Sequence, residues 1–332
     1  MPEPAAPRRV TGTEIARAAG VSRATVGFVL NNTPGTRISE STRARVMDTA
    51  ARLGYRPNRA AADLRRGRSK IVLLVLPDRP AGASMEVSLD EGAHALAEAG
   101  FALVTQSQTL RGSPPLWEML SPEVVVGWSS FSADDVASMR AAGVRHILPT
   151  PGASVRYDEF PGVSKGARLQ VEHLYERGHR RIAVATSEAP HLPDLERTRV
   201  AAAVEGAEAL GMDVLGVRKV DHADGSAARA VRAWIAGGVT GVVAFDDDVA
   251  ATVAGAAIRD GIRIPADLAV IGHDDSLIAS LFVPSLSSVR MDTAEAGRYL
   301  AALALQVAEG RPMTSTWTRL DTRVVAREST MS

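Results

Sequence analysis

From Lys70 onward the chain alternates short apolar, β-rich runs with helical stretches, and this alternation restricts the available folds more than any other feature. The runs are Ile71–Leu76, Ala102–Thr105, Val124–Gly127, Ile147–Leu148, Ile182–Ala185, Val214–Val217, Gly241–Phe245 and Leu268–Gly272. Helical stretches separate them, among them Glu86–Ala99, Ala133–Ala142, Lys165–Arg177, Arg199–Leu210, Ala227–Ala236 and Val249–Asp260. Strands interleaved with helices imply parallel sheets flanked by helices. About 260 residues is more than one such sheet usually holds, so two lobes with a cleft are expected. The break between them is expected near Tyr157–Val163, a stretch containing Pro161 and Gly162.

The residues before Lys70 have a different character. The chain as a whole carries 38 basic and 38 acidic residues, a balance that taken alone argues against a nucleic-acid partner. The charge is not evenly spread. Residues 1–70 hold fourteen basic side chains against five acidic ones, leaving 24 basic and 33 acidic for the rest. A basic first fifth on an acidic body is the electrostatic footprint of a DNA-binding head. There is no cysteine, which excludes disulfides, thiol catalysis and cysteine-ligated metal. No apolar run approaches the roughly 20 residues needed to span a bilayer, and the opening MPEPAAPRRVTGTE lacks the apolar core of a secretory signal. A soluble, cytoplasmic protein with no membrane partner is expected.

Within the head, Thr11 and Glu14 have the spacing of a capping box, a hydroxyl and a carboxylate that satisfy each other's free amides at a helix start. Ile15, Ala16 and Ala19 follow at helical spacing, and Gly20 supplies the left-handed residue that stops the helix. Ser22 is placed to cap a second helix, Arg23 to Leu30, with Val26, Val29 and Leu30 inward. Residues Asn31–Arg37, with Pro34 and Gly35, form a loop. Ser39 opens a third helix whose apolar stripe is Val46, Ala50 and Leu53, ending near Gly54. Two short helices joined by a glycine turn and braced by a third form a helix-turn-helix. The plainer alternative is a three-helix interaction module.

The stretch VTGTEIARAAGVSRATVGFVLNNTPGTRISESTRARVMDTAARLGYRPNRAAADLRRGRS resembles the DNA-binding head and hinge of the lactose-repressor (galactose-repressor) family of bacterial regulators. The resemblance is carried by Thr11, Ala16, the Gly20–Ser22 turn, Thr25, Val26, Leu30, Asn31, Ser39, Thr42, Arg43, Leu53–Tyr55, Pro57 and Asn58. It implies phosphate contacts from Thr11, Ser22, Thr25, Asn31, Ser39, Thr42, Tyr55 and Asn58, a task suited to hydroxyls and helix-end amides. Arg23 and Ala24 would begin the recognition helix, Arg23 with a bidentate hold on guanine and Ala24 with apolar contact alone. Phe28 falls on the same DNA-facing helix, where family members commonly carry arginine or tyrosine, and it cannot donate to a base. The hinge starts at Pro57, which suits a first helical turn. Too short to be a stable helix alone, it is expected to order on dimerisation and DNA binding. Ala61 and Leu64 would enter the minor groove there, Leu64 as an apolar wedge. Asp63 departs from the neutral residue usual in the family.

In open parallel sheets ligands bind beyond the carboxyl ends of the strands. That draws attention to Asp246, Asp247 and Asp248 after Phe245, and to His273, Asp274 and Asp275 after Gly272. A carboxylate acid/base pair or a divalent-metal site is one reading of these acids; caps for the following helices is the other. The usual nucleotide, hydrolase and zinc-protease motifs are missing. The seven histidines show no metal spacing, and His173 and His179 read as structural. No enzymatic activity, cofactor or metal is expected. The family resemblance extends over the body, most clearly from Gly166 to Ser329, in GARLQVEHLYERGHRRIAVA, FDDDVAATVAGAAIRDGIRIPADLAVIGHDDS, FVPSLSSVRMD and VVARES. It implies the periplasmic sugar-binding-protein type of fold, two lobes with crossovers whose closure around a small effector changes dimer geometry. It also implies effector contacts from Arg199, Asp246 and Asp274, residue types that suit hydroxyl-rich ligands. The first strand lacks the sugar-stacking aromatic common in the family, and Asp246 replaces the usual asparagine. These departures admit a cationic or differently shaped effector.

The chain is therefore expected to comprise a small all-α helix-turn-helix head (1–56), a hinge helix and linker (57–69), and an α/β two-lobed periplasmic-binding-protein-like domain with parallel sheets (70–332). The last would bind the effector and dimerise. The expected function is that of a homodimeric transcriptional repressor on a near-palindromic operator in double-stranded DNA, its affinity set by a sugar-like or related metabolite. No leucine heptad follows the final strand, which favours a dimer over a tetramer.

Overall fold

The computed structural model describes residues 10–30, 35–55, 69–77, 83–108, 113–153, 161–187, 192–312 and 321–331. Contacts divide the chain into two units, Met1–Arg68 and Ser69–Ser332.

The first unit contains three helices, α1 (Gly12–Ala19), α2 (Arg23–Leu30) and α3 (Glu40–Arg52). Each begins on a side-chain cap. The Thr11 amide donates to Glu14 Oε2 at 2.7 Å and the Thr11 hydroxyl accepts from the Glu14 amide, closing the capping box. Ser22 Oγ accepts from the Thr25 amide at 3.0 Å, and Ser39 Oγ from the Thr42 amide at 3.3 Å. Gly20 takes φ 66°, a conformation costly for any other residue, and its N–H returns to Ala16 O. Ile15, Ala16, Ala19, Val26, Val29, Val46 and Ala50 form the core, with Tyr55 packed on its edge. Leu53 departs from the expected inward stripe. It occupies the C-cap of α3 and is exposed, because Gly54 at φ 68° turns the chain back and sets Tyr55 against the core instead.

The second unit contains two sheets. Strands β1 (Ile71–Leu76), β2 (Ala102–Ser107), β3 (Val124–Gly127) and β4 (His146–Leu148) make a four-stranded parallel sheet in the order β2-β1-β3-β4. Helices α4 (Ala83–Glu98), α5 (Leu116–Leu120) and α6 (Ala133–Ala141) connect them. Helix α7 (Pro161–Glu176) leads into the second sheet, so Pro161–Val163 of the expected lobe break open a helix; Tyr157–Phe160 lie outside the described residues. Strands β5 (Arg181–Ser187), β6 (Asp213–Val220), β7 (Gly241–Ala244), β8 (Ala269–His273), β9 (Ser287–Met291) and β10 (Thr322–Val325) follow the order β10-β9-β8-β7-β5-β6. Their connections include α8 (Pro193–Ala209), α9 (Ser226–Ala236), α10 (Asp247–Arg259), α11 (Leu277–Leu281) and α12 (Thr293–Glu309). All pairs in this sheet are parallel except β9 with the edge strand β10.

Continuous apolar runs mark the strands buried on both faces. Val72–Leu74, Val124–Val125, Val242–Ala244 and Ala269–Ile271 are all nearly inaccessible. One helix crosses between the sheets. Helix α12 follows β9 of the larger sheet yet packs on α4 and β3, placing Ala301, Ala304 and Leu305 in the core of the smaller one. Two glycines make the crossing close: a Cβ at Gly297 would lie 2.0 Å from Ser88 O, and one at Gly92 would lie 3.1 Å from Gly297 O.

Candidate nucleic-acid interface and ligand site

In the head, the caps that start the helices also expose donors and acceptors. Ser22 Oγ lies 2.9 Å from Thr25 Oγ1, and Ser39 Oγ donates to Thr42 Oγ1 at 2.9 Å. Thr11, Ser22, Arg23, Ala24 and Ser39 are exposed, Thr25, Thr42 and Tyr55 half-buried, and Phe28 is 42% exposed although large and apolar. Helix starts and hydroxyls of this kind are suited to phosphate oxygens. The remaining expected DNA contacts, Asn31, Asn58, Ala61 and Leu64, lie outside the described residues, as does Asp63.

In the body, the ends of β7 and β8 converge on one buried arginine. Arg199 projects from α8 and is 6% exposed. Its Nη1 donates to Phe245 O at 2.8 Å and its Nη2 to Asp274 Oδ1 at 2.9 Å, with the guanidinium 5.0 Å from the Phe245 ring centre. Arg199 Nε is buried with no acceptor among the described residues. Asp274 Oδ1 also lies 2.7 Å from His273 Nδ1. Burial alone would raise the Asp274 carboxyl, but the Arg199 guanidinium and then His273 outweigh it and hold it well below the usual carboxylate range. Burial, followed by the Arg199 charge, pushes His273 down and keeps it neutral, against the opposing pull of Asp274. The ionised carboxylate can only accept, so the imidazole proton sits on Nδ1 and Nε2 is bare.

Asp246 answers the other reading of the strand-end acids. It is buried, and its Oδ1 accepts from the Val249 amide at 2.8 Å, capping α10. Asp247 is also buried: its Oδ1 accepts from Ser288 Oγ at 2.6 Å and its Oδ2 from the Ser276 amide at 2.6 Å. Burial raises its carboxyl to about 7 against those hydrogen bonds. Asp275 pairs with Arg290 and, at 2.6 Å, with Arg327. Among the described residues no group of His, Asp and Glu is arranged to hold a metal ion.

Several residues that shape this site are not among the expected ligand contacts. Gln170 on α7 donates through Nε2 to Ala244 O and Gly272 O, both at 2.8 Å, fixing the ends of β7 and β8 together. Gly166, one turn earlier, leaves room for the imidazole; a Cβ there would lie 2.3 Å from His273 Nε2. Asp274 and Asp275 both have positive φ, 90° and 46°, a pair of backbone angles that no residue pattern announces.

These features define a two-part protein, a capped helix-turn-helix unit on a periplasmic-binding-protein-like α/β body. Family comparisons agree on both parts. Residues 13–58 match the bacterial regulatory proteins of the lacI family, and residues 171–330 match a periplasmic binding protein-like domain. The chain is similar to the HTH-type transcriptional regulator CelR of Thermobifida fusca, with 30% identity over 97% of this chain and 98% of that one. It is also similar to the HTH-type transcriptional regulator MalR of Streptomyces coelicolor, with 31% identity over 96% of each. Among solved structures, the lac repressor dimer bound to operator and the anti-inducer ONPF superposes with a TM-score of 0.72 at 22% identity, covering 98% of this chain and 100% of that one. The CelR–cellobiose complex superposes with a TM-score of 0.62 at 26% identity, covering 97% of this chain and 100% of that one. The chain belongs to the lacI family of bacterial transcriptional regulators, whose named relatives here are DNA-binding regulators and not enzymes.

Proposed function

We propose that the protein is a homodimeric repressor that binds a near-palindromic operator and releases or retains it according to a small metabolite held at the strand ends of the larger sheet. In this reading residues 1–56 are the DNA-binding head, 57–69 the hinge and linker, and 70–332 the effector and dimerisation domain. The observation that carries it is α2, capped by Ser22 with Arg23, Ala24 and Phe28 exposed, in a segment with fourteen basic against five acidic residues. Thr11, Ser22, Thr25, Asn31, Ser39, Thr42, Tyr55 and Asn58 hold phosphates, while Arg23, Ala24 and Phe28 face base edges. Ala61 and Leu64 serve the minor groove.

The ligand half rests on Arg199, Asp246 and Asp274. A buried Nε–H without an acceptor among the described residues, beside a half-open carboxylate, suits a ligand that brings both an acceptor and a donor. A sugar-like hydroxyl does both, and the cellobiose complex of CelR supports that class. To act as a switch the metabolite must bind the DNA-competent and DNA-free states unequally. A two-fold operator requires two heads, and an apolar face with Leu277 67%, Leu281 69% and Val283 83% exposed supports a second copy as its cover.

The test is fluorescence anisotropy of the full chain on duplexes enriched from a random pool, repeated with a panel of sugars, nucleosides and cationic metabolites. Specific binding at about 10⁻⁸–10⁻¹¹ M near physiological salt is expected, with one ligand class changing the affinity at least about tenfold. A pool that shows no sequence enrichment overturns the DNA half; an affinity indifferent to the whole panel overturns the effector half. Sedimentation equilibrium checks the dimer.

A further inference from the structure

Helix α2 turns Val26 and Val29 into the head's core. At about 100° per residue, the face directly opposite carries Ala24, Gly27 and Phe28. Ala24 and Phe28 are exposed, and none of the three side chains has a hydrogen-bonding group. The only long donor at the start of this surface, Arg23, lies about a quarter turn to one side.

Two details indicate that this face is shaped for something outside the head. Phe28 remains 42% exposed, although a head of this size gains stability from every large apolar side chain it buries. Gly27 sits in the middle of a helix, where glycine is unfavourable, and a Cβ there would meet nothing within 4 Å among the described residues beyond its own helix and chain neighbours. Packing against the described residues of the head therefore does not require a glycine. A missing side chain on the outward face does, however, let the helix backbone approach a partner closely.

We propose that the Ala24–Gly27–Phe28 face reads the 5-methyl group of thymine in the major groove, so that one position of each half-site is selected by apolar contact. This rests on the DNA-binding function proposed above. In the major groove the thymine methyl is the apolar mark among otherwise polar base edges, and a ring edge with a cleared approach beside it matches that mark. A phenylalanine offers a guanine or cytosine edge nothing in exchange for lost water, so the same face also discriminates against G·C pairs. Arg23 supplies the hydrogen-bonded contact at a neighbouring position.

The test replaces each thymine of the enriched operator by deoxyuridine, which removes the methyl and leaves every hydrogen-bonding group in place. Wild-type protein is expected to lose about fourfold in affinity for the one methyl read in a half-site and about fifteenfold when both half-sites are changed. In Phe28→Ala the same replacement changes affinity less than about twofold, and Phe28→Leu retains part of the effect. Phe28 is exposed, so helical circular dichroism is expected to show both variants folded. Changing that thymine to 5-methylcytosine weakens binding less than changing it to cytosine, because the methyl alone is restored. Equal affinity for thymine and deoxyuridine at every position, or an equal loss in Phe28→Ala, overturns the inference while leaving the DNA-binding function standing. Absence of any sequence-specific binding overturns both.

Discussion

Asp274 stands between a guanidinium and an imidazole on a backbone with φ 90°, followed by Asp275 at φ 46°. Non-glycine residues in that region cost roughly 1–3 kcal/mol each and persist only where their surroundings over-determine them. Here the surroundings do so: the Asp274 amide donates to Val289 O at 2.8 Å, the Asp275 amide to Ser288 Oγ at 3.0 Å, and Arg290 and Arg327 hold the Asp275 carboxylate. Removing the Asp274 carboxylate leaves Arg199 buried without its counter-charge. Asp274→Ala is therefore expected to lose about 3 kcal/mol of stability, measured by urea unfolding. Its operator affinity should stay near the wild-type value while the response to effector disappears. Loss of operator binding in folded Asp274→Ala protein would contradict the assignment of this site to ligand sensing. Gly166 tests the same site from behind. A methyl 2.3 Å from the bare Nε2 of a wholly buried ring has to displace His273, and with it the proton that points Asp274 toward Arg199. Gly166→Ala should cost about 1–3 kcal/mol and blunt the effector response. An unchanged melting temperature with an intact response would show that the ring is free to move.

Helix α7 is tied to the end of the chain by a buried polar relay. Arg177 Nη1 donates to His173 Nδ1 at 3.0 Å, which leaves the proton on Nε2 to reach Thr330 Oγ1 at 2.7 Å; Thr330 and Ser287 hydroxyls meet at 2.6 Å. Burial, then Arg177 and His179, lower His173 to about 4. The unfolded imidazole titrates near 6.5, so between about 4 and 6.5 the unfolded chain binds the extra proton and stability falls as pH falls. Asp247 works in the opposite sense. Its carboxyl is raised to about 7, so the folded state holds the extra proton and stability falls as pH rises from the ordinary carboxylate range toward 7. The two slopes oppose each other in the wild type, so variants are needed to separate them. Relative to wild type, His173→Gln should gain stability as pH drops from 6.5 toward 4.5, by about 2 kcal/mol. Asp247→Asn should gain as pH rises through 5 to 7. Urea midpoints at four pH values decide, and parallel curves for all three proteins would rule out both assignments. This relay also shows which parts of the fold sequence patterns can reveal. Strands β1 and β3 are buried apolar runs and are legible to the residue. Strand β9 is not, because Ser287 and Ser288 look like loop residues. They are fully buried only because Ser329, Thr330 and Arg327, about forty positions away, and Asp247 supply their hydrogen bonds. Helix α12 is amphipathic in sequence, but nothing local indicates that its apolar face serves the earlier sheet through Gly92 and Gly297. At the site, Arg199 and Asp274 stand out by residue type and family pattern. The room at Gly166 and the two positive φ angles depend on the folded backbone.

At the scale of the whole molecule, zero net charge is the sum of a basic head segment and an acidic remainder. Under physiological salt a charge acts over about 8 Å, so the phosphates in contact with the head respond to its fourteen basic side chains and not to the neutral total. Binding should then release counterions in proportion to the phosphates neutralised, with log K falling by about 0.9 per contact for each unit of log salt. If six to ten contacts form, affinity is expected to drop by roughly 10³–10⁵ between 50 and 200 mM salt. The slope also separates the two kinds of contact within the head. Arg43→Ala, at a basic residue of α3, should reduce the slope by about one if it meets a phosphate, and weaken all sequences alike. Arg23→Ala should instead cost about 1–3 kcal/mol on the preferred operator and flatten the preference at one position in each half-site, with the salt slope retained. Anisotropy titrations at four salt concentrations, on the preferred operator and on a shuffled duplex, measure both quantities at once. A slope near zero for the wild type would mean that the basic surplus does not face DNA. An Arg23→Ala variant that loses the slope but keeps its base preference would move Arg23 from reading bases to holding the backbone.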